Sequence, residues 1–382
     1  MELYVHIPFC RQKCRYCAFA SFAGQESYRE KYIELLLTEA RNRKQEVSGP
    51  VSTVYIGGGT PSLLSPSQLS VLIAGLREVF DLDGVTEFTS EANPGTVTGE
   101  WFDAAVSCGV SRVSFGMQAY QENLLRLLGR IHTFEDVRTC VHLARKAGIS
   151  NISLDLIFGI PGQTGEDWNN TLDAALSLDP SHISAYGLIP EEGTPLMHDL
   201  DAGRLTLPDP DLERDMYSLA CEKTALSGFH QYEISSFARE NRECVHNIGY
   251  WTQVPYLGLG VSVASMTGIS FSDEGMTYFR SVNPDTITVY EQQVLSGITP
   301  EAERISPSDA RFETVMLGLR MNRGVSERDF YRKHGVTIGS CFGGKLETLK
   351  KRGLMLHEGD AWKLTARGFD IQNSVLVELM EE

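Results

Sequence analysis

Residues 2–20 read ELYVHIPFCRQKCRYCAFA. A short apolar run, LYVHI (3–7), predicts a β-strand, and it leads directly into Cys10, Cys14 and Cys17 at C-x3-C-x2-C spacing, with Tyr16 before the last thiol. Three thiolates on one short loop suit three corners of an iron–sulfur cubane, which usually takes four cysteines. The fourth iron then lacks a protein ligand and stays open to a small chelating molecule. A structural zinc site is the rival reading and needs a fourth ligand such as His6. Three unrelated cysteines is the bland one. The adjacent motifs favour the cluster.

Working outward, short apolar strands alternate with helical patterns. The strands are expected at 3–7, 53–57, 87–92, 112–117, 152–159 and 182–188, with helices at 27–45, 66–80, 99–108, 134–147 and 166–178. Ser65-Pro66 and Thr164 with Glu166 and Asp167 are helix-start signals. Alternation with crossover-length connections implies parallel strands. A (βα)6 partial TIM barrel and an open doubly wound sheet both satisfy it.

Polar residues then recur at strand ends. GGGTPS (57–62) follows the second strand and lets backbone approach a ligand closely, although it matches neither a phosphate loop nor a dinucleotide fingerprint. Glu91 lies in SEANPGT, Gln118 ends SFGMQ, Arg130 lies in LLGRIH, and Asp155 interrupts the apolar strand of SLDLIFGIPGQT. A buried carboxylate is costly unless paired, so Asp155 is either a ligand contact or half of an internal ion pair. All these positions fall on the carboxyl face of a barrel, where such folds keep their active sites. This shared location favours the partial barrel.

Beyond residue 190 the alternation stops. A helix is expected at 209–228, a strand at 229–236, an irregular Gly-, Tyr- and Trp-rich loop at 240–266, a strand at 276–282, and a linker between Pro300 and Pro307. Residues 308–382 suggest a small, mainly helical, winged-helix-like domain: helices 308–321, 326–334 and 340–352, then a hairpin through LMLHEGDAWKLT. The expected units are 1–205, 206–300 and 301–382.

The chain has 382 residues, 42% of them hydrophobic, and a net charge of −16. The acidic balance, with no basic stripe, argues against a nucleic-acid partner. Eight cysteines in this length do not make a disulfide framework. No signal peptide and no membrane-length apolar run of ~18 residues is evident. A reducing cytoplasmic setting is expected, with peripheral membrane contact left open.

Together YVHIPFCRQKCRYC, GGGTPS, SEANPG, SFGMQ and LDLIFGIPGQT resemble the radical S-adenosylmethionine (SAM) superfamily, in its coproporphyrinogen-oxidase-like group. The resemblance extends to LTARGFDIQNSVL (364–376), which is similar to that group's small terminal domain. It implies a [4Fe-4S] cluster whose unique iron is chelated by SAM, and one-electron cleavage of the sulfonium to a 5′-deoxyadenosyl radical. By motif position it implies SAM contacts from Tyr4, Gly58, Gly59, Thr60, Glu91, Gln118, Arg130 and Asp155. Tyr16 would lie beside the adenine, and Gly187 is a weaker candidate.

Two departures bear on the subgroup. The HemN-like oxidases carry a further cysteine two residues after the triad, where this chain has Phe19, and an N-terminal extension missing before Tyr4. HNIGYW (246–251) resembles the H-N-x-x-Y-W signature of the HemW-type haem chaperones. That implies haem contacts from His246, Asn247, Tyr250 and Trp251. An imidazole can ligate iron and the aromatic rings offer flat apolar faces. Read without the resemblance, these are a core histidine and packing aromatics; Cys244 is a further thiol near them. The expected function is a haem chaperone that binds haem, the cluster and SAM and delivers haem to acceptor proteins, with an electron donor such as flavodoxin or ferredoxin. The alternatives are an oxygen-independent coproporphyrinogen III oxidase and a zinc-stabilised, non-redox barrel.

Overall fold

The computed structural model describes residues 1–380, so the last two residues of the expected C-terminal unit lie outside it. Six parallel strands follow one another in chain order: β1 (Glu2–Ile7), β2 (Thr53–Gly58), β3 (Glu87–Ala92), β4 (Arg112–Gln118), β5 (Asn151–Phe158) and β6 (His182–Gly187). The connecting helices start where local chemistry dictates. Ser65 forms a capping box with Gln68 ahead of helix Pro66–Val79, and Thr164 does so with Asp167 ahead of helix Gly165–Ser177. Each such cap stabilises by about 1 kcal/mol.

Alternation along these strands decides what the barrel can hold. Leu3, Val5 and Ile7, Val54 and Ile56, and Val113 and Phe115 are buried on the outer face, in one cluster with Tyr32, Leu36, Leu72 and Phe102 of the helices. The opposite face carries Glu2, Tyr4 and His6, Thr53 and Tyr55, Glu87, Thr89 and Glu91, Arg112 and Ser114, Ser153 and Asp155, and Ser184 and Tyr186. Register sets these beside one another: Tyr4 opposes Tyr55, Tyr55 opposes Thr89, Glu91 opposes Ser114, and Asp155 opposes Ser184. A period of two thus builds an apolar shell around a polar lumen.

The sheet continues past both edges. β6 pairs antiparallel with β8 (Ser236–Ala238), which pairs with β7 (His230–Glu233). On the other side β9 (Tyr256–Leu259) pairs parallel with β1, followed by antiparallel β10 (Ala264–Ser272), β11 (Gly275–Val282) and β12 (Ala302–Ile305). Two expectations are corrected here. The segment 240–266 is not an irregular loop: it contains helix Val245–Trp251, β9 and the start of β10. Its glycines sit where backbones meet, since a Cβ on Gly249 would fall 1.9 Å from a Glu2 carboxylate oxygen and one on Gly258 would fall 2.3 Å from the Ala264 carbonyl. The expected linker at 300–307 is instead edge strand β12.

Residues from 307 onward form a small domain around Val315, Leu319, Phe330, Leu346, Leu349, Trp362 and Leu364. Helices Pro307–Gly318, Glu327–His334 and Ile338–Lys351 precede a hairpin, Met355–Glu358 with Ala361–Leu364, in a winged-helix-like arrangement. Among the described residues, no helix is long and apolar enough to cross a membrane.

Candidate functional site

The cysteine loop leaves β1 and is pinned across the carboxyl end of the barrel. Arg15 N–H donates to the Leu128 carbonyl at 2.9 Å, the Arg15 side chain pairs with Asp199, and Gln12 donates to the Gly129 carbonyl at 3.2 Å. Cys10, Cys14 and Cys17 are free and partly exposed there. Thr60 Oγ1 lies 3.7 Å from Cys10 Sγ, and Arg130 Nη1 donates to Cys14 Sγ at 3.5 Å. Burial pushes the Cys10 and Cys17 thiols up, so loading a metal centre here releases protons.

Among the described residues, no three His, Cys, Asp or Glu side chains converge on one ion position. A cubane places its thiolate ligands on separate irons, whereas zinc draws its ligands to a single point. His6, the expected fourth zinc ligand, is engaged at both nitrogens: Nε2 with the Ala20 carbonyl at 2.8 Å and Nδ1 with the Tyr4 hydroxyl at 3.2 Å. The donor set therefore fits a cluster better than one ion.

Beside the loop, the strand ends bring the other candidates together. Glu91 accepts from the Tyr55 hydroxyl at 2.9 Å and the Gly58 N–H at 3.0 Å. Asp155 accepts from the Ser114 hydroxyl at 3.0 Å. Burial and then the Asp155 charge push Glu91 up to about 7; burial likewise raises Asp155, against the lowering pull of Arg112. Arg130 Nη2 reaches Asn93 Oδ1 and the Gly116 carbonyl, both at 2.8 Å. Gly58 has φ +111, and a Cβ there would fall 2.5 Å from the His6 ring; one on Gly59 would fall 2.8 Å from the Phe9 carbonyl. These glycines keep a backbone cradle open.

Gln118 carries a further mark of a ligand site. It holds φ 64, a left-handed conformation costly for a residue with a Cβ, is 5% exposed, and leaves Oε1 without a partner. An unpaired buried acceptor on the same strand-end face as Glu91 and Asp155 fits a ligand that brings a hydrogen-bond donor, such as an amino-acid ammonium. Tyr16 packs near Leu124 and Leu128, with Arg130, Cys14 and Asp155 as charged neighbours. Gly187 lines a different cavity of about 390 Å³ with Tyr186 and Glu213. Motif reading missed Tyr55, Asn93 and Ser114, although lumen alternation would have singled out Tyr55 and Ser114.

Adjoining the loop is a second space. A cavity of about 670 Å³ is walled by Ala18, Phe19 and Ala20 of the cysteine loop, Tyr4 and His6 of β1, Tyr250, Trp251, Tyr256, Met266 and Met316, with Arg280 and Glu313 as its charges. This size and apolar lining suit an organic ligand. Phe19 is 65% exposed at its rim.

The four residues of the HNIGYW expectation separate. Tyr250 and Trp251 line the cavity; His246 and Asn247 do not. His246 is buried with both ring nitrogens occupied, Nδ1 by Thr53 Oγ1 at 2.8 Å and Nε2 by the Tyr250 hydroxyl at 2.9 Å. Burial, then the Arg112 cation, holds it down at about 3. In this structure His246 is engaged as a neutral support of Tyr250 and lies outside the cavity lining. Cys244 is also buried, against Glu87.

With this geometry in view, comparison with known proteins is direct. Residues 4–175 match the radical SAM superfamily and 305–371 the HemN C-terminal domain. The chain is 35% identical over 383 residues to "Heme chaperone HemW" of Bacillus subtilis, covering 99% of each chain. It is 32% identical over 386 residues to the Escherichia coli protein of the same name, covering 100% of this chain and 98% of that one. Among solved structures, E. coli coproporphyrinogen III oxidase (HemN) superposes with a TM-score of 0.84 at 25% identity, over 99% of this chain and 89% of that one. The radical SAM match implies a [4Fe-4S] cluster and SAM. The chain therefore belongs to the HemW family within the radical SAM superfamily.

Proposed function

We propose that this protein is a haem chaperone: it binds haem beside a [4Fe-4S] cluster and SAM and delivers the haem to acceptor proteins. The observation that carries this reading is the wall shared by the two spaces, since Ala18–Ala20 follow Cys17 directly and line the aromatic cavity. In this reading Cys10, Cys14 and Cys17 hold the cluster. Tyr4, Gly58, Gly59, Thr60, Glu91, Gln118, Arg130 and Asp155 receive SAM, with Tyr16 near its adenine.

A cluster held by Cys10, Cys14 and Cys17 would supply one-electron reduction of the SAM sulfonium, with the electron drawn from an external donor such as flavodoxin or ferredoxin. The chain's own residues bind and orient. Glu91 and Asp155 offer carboxylates to an ammonium, Arg130 offers its cation to a carboxylate, and the Gly58–Gly59 backbone lets the ligand approach. Tyr250 and Trp251 supply flat faces to the macrocycle; Arg280, paired with Glu313 at 2.6 Å, reaches a propionate only by sharing its guanidinium. Phe19 stands where the HemN-like oxidases have a further cysteine, leaving an apolar rim. The units 1–205, 206–300 and 301–382 are part of this proposal, as is peripheral contact when the acceptor is membrane-bound.

The oxidase reading draws on the fold likeness to HemN. The test is anaerobic incubation of the reconstituted protein with coproporphyrinogen III, SAM and reductant, alongside haem transfer to an apocytochrome. The proposal expects transfer and no protoporphyrinogen; turnover without transfer reverses it.

A further inference from the structure

Behind Trp251 lies a second cavity of about 790 Å³, between β10–β11 and the C-terminal domain. Its apolar lining is Ile269, Phe271, Met276, Met321, Val325 and Phe330, and its charged lining is Arg323, Asp329, Arg332 and Lys333. Two polar groups in it are unusual. Lys333 Nζ donates to the Thr252 carbonyl at 2.7 Å and to Gln253 Oε1 at 3.3 Å, yet among the described residues it forms no ion pair. Burial lowers it to about 8. Gln253 is 4% exposed, holds φ 57, has its Oε1 satisfied by Thr314 at 2.5 Å, and leaves its Nε2 donor with no partner. The one carboxylate in the lining, Asp329, pairs with Arg332 at 3.1 Å and acts on Lys333 only at longer range. Arg323 is a third cation of the lining. In a chain of net charge −16, a chamber with three cations and one carboxylate is a local exception.

We propose that this cavity binds an amphipathic carboxylate: an apolar body among Ile269, Met276 and Phe330, with its carboxylate received by Lys333 Nζ and the Arg323 guanidinium of the same lining. Lys333, bonded so far only to neutral oxygens, then gains an anionic acceptor. The same chemistry is offered by a fatty acid and by the propionate edge of a porphyrin. Trp251 lines both this cavity and the proposed haem cavity, with the Arg320 guanidinium 4.3 Å above its ring. A ligand here therefore touches the partition between the two.

The test uses the full chain titrated by calorimetry with dodecanoate and, separately, with haem, in wild type, Lys333→Met and Ile269→Trp. Neither substituted residue lines the first cavity. The expected result is saturable one-to-one dodecanoate binding, weakened at least tenfold by Lys333→Met and abolished by the bulk of Ile269→Trp. If the natural source is a porphyrin, haem binds with a second equivalent that both variants remove while the first is kept. Should neither probe bind saturably to wild type in a manner that either variant alters, the inference is overturned. The chaperone reading is judged separately by the first haem equivalent and its weakening in Tyr250→Ala, a residue that lines only the first cavity.

Discussion

At the amino end of the lumen, Glu87 accepts from the N–H groups of Val245 and His246 at 3.0 and 3.1 Å, and His246 bridges Thr53 and Tyr250. At the carboxyl end, Glu91 and Asp155 crowd one another, Gln118 holds an unmet acceptor, and the nearest loop carries three free thiols. Both ends bury charge inside the same strands. At one end the chain's own helix Val245–Trp251 satisfies Glu87 and His246, so the polar groups form a plug, although Glu2 Oε2 and Arg112 Nε stay unpaired. At the other the chain stops short of satisfying the buried charge, so the polar groups form a site. The difference teaches that burial, polarity and single unpaired atoms do not mark function alone; they do so where crowded carboxylates, an unpaired acceptor and a loop of free thiols meet at one open end.

The sharpest way to break this contrast is at the thiols. Cys10→Ala, Cys14→Ala and Cys17→Ala each abolish the cubane absorbance after anaerobic reconstitution; a retained spectrum in any one contradicts its ligand role. Next comes the cavity wall. Trp251→Ala weakens haem binding about tenfold, or ~1.4 kcal/mol. His246→Ala instead costs about 2 kcal/mol of folding stability by leaving Thr53 and Tyr250 unpaired, with a smaller change in haem affinity. If His246→Ala removed the haem spectrum while chemical unfolding stayed unchanged, the plug assignment would fail.

A third effect separates the ends by pH. Glu91, raised to about 7, is protonated below that value. SAM affinity, measured by equilibrium dialysis, therefore rises as pH increases through 7 in wild type and is flat there in Glu91→Gln. A fourth effect belongs to the plug. Burial raises Glu2 to about 8. The native state then keeps a proton that the unfolded chain releases near its ordinary carboxylate value. Its stabilisation is full below about 4.5 and is lost as pH rises through 8. Denaturant unfolding from pH 5 to 8 shows this decline in wild type and a shallower one in Glu2→Gln.

Much of this was legible beforehand. The six strands, the cysteine spacing and the strand-end residues follow from local pattern, because parallel strands with crossover helices leave few topologies. The plug was not legible. Helix Val245–Trp251 is only seven residues long, lies among Gly, Tyr and Trp, and is stabilised by Glu87 and Glu2 contacts that no sequence window contains. β9 is likewise a strand because β1 offers a free parallel edge. His246 carried a ligand-like signal for the same reason: a histidine in a motif looks identical whether its nitrogens are free or bonded to Thr53 and Tyr250. Gln118 was read by position, while its left-handed backbone and orphaned oxygen needed coordinates.

The central claim is that haem sits against the cluster loop. Anomalous diffraction at the iron edge, on anaerobic crystals loaded with cluster and haem, tests it directly. The account predicts a multi-iron peak at Cys10, Cys14 and Cys17 and a single iron peak in the neighbouring cavity between Phe19 and Trp251. A haem iron found elsewhere on the chain, or a triad with no iron, would contradict it.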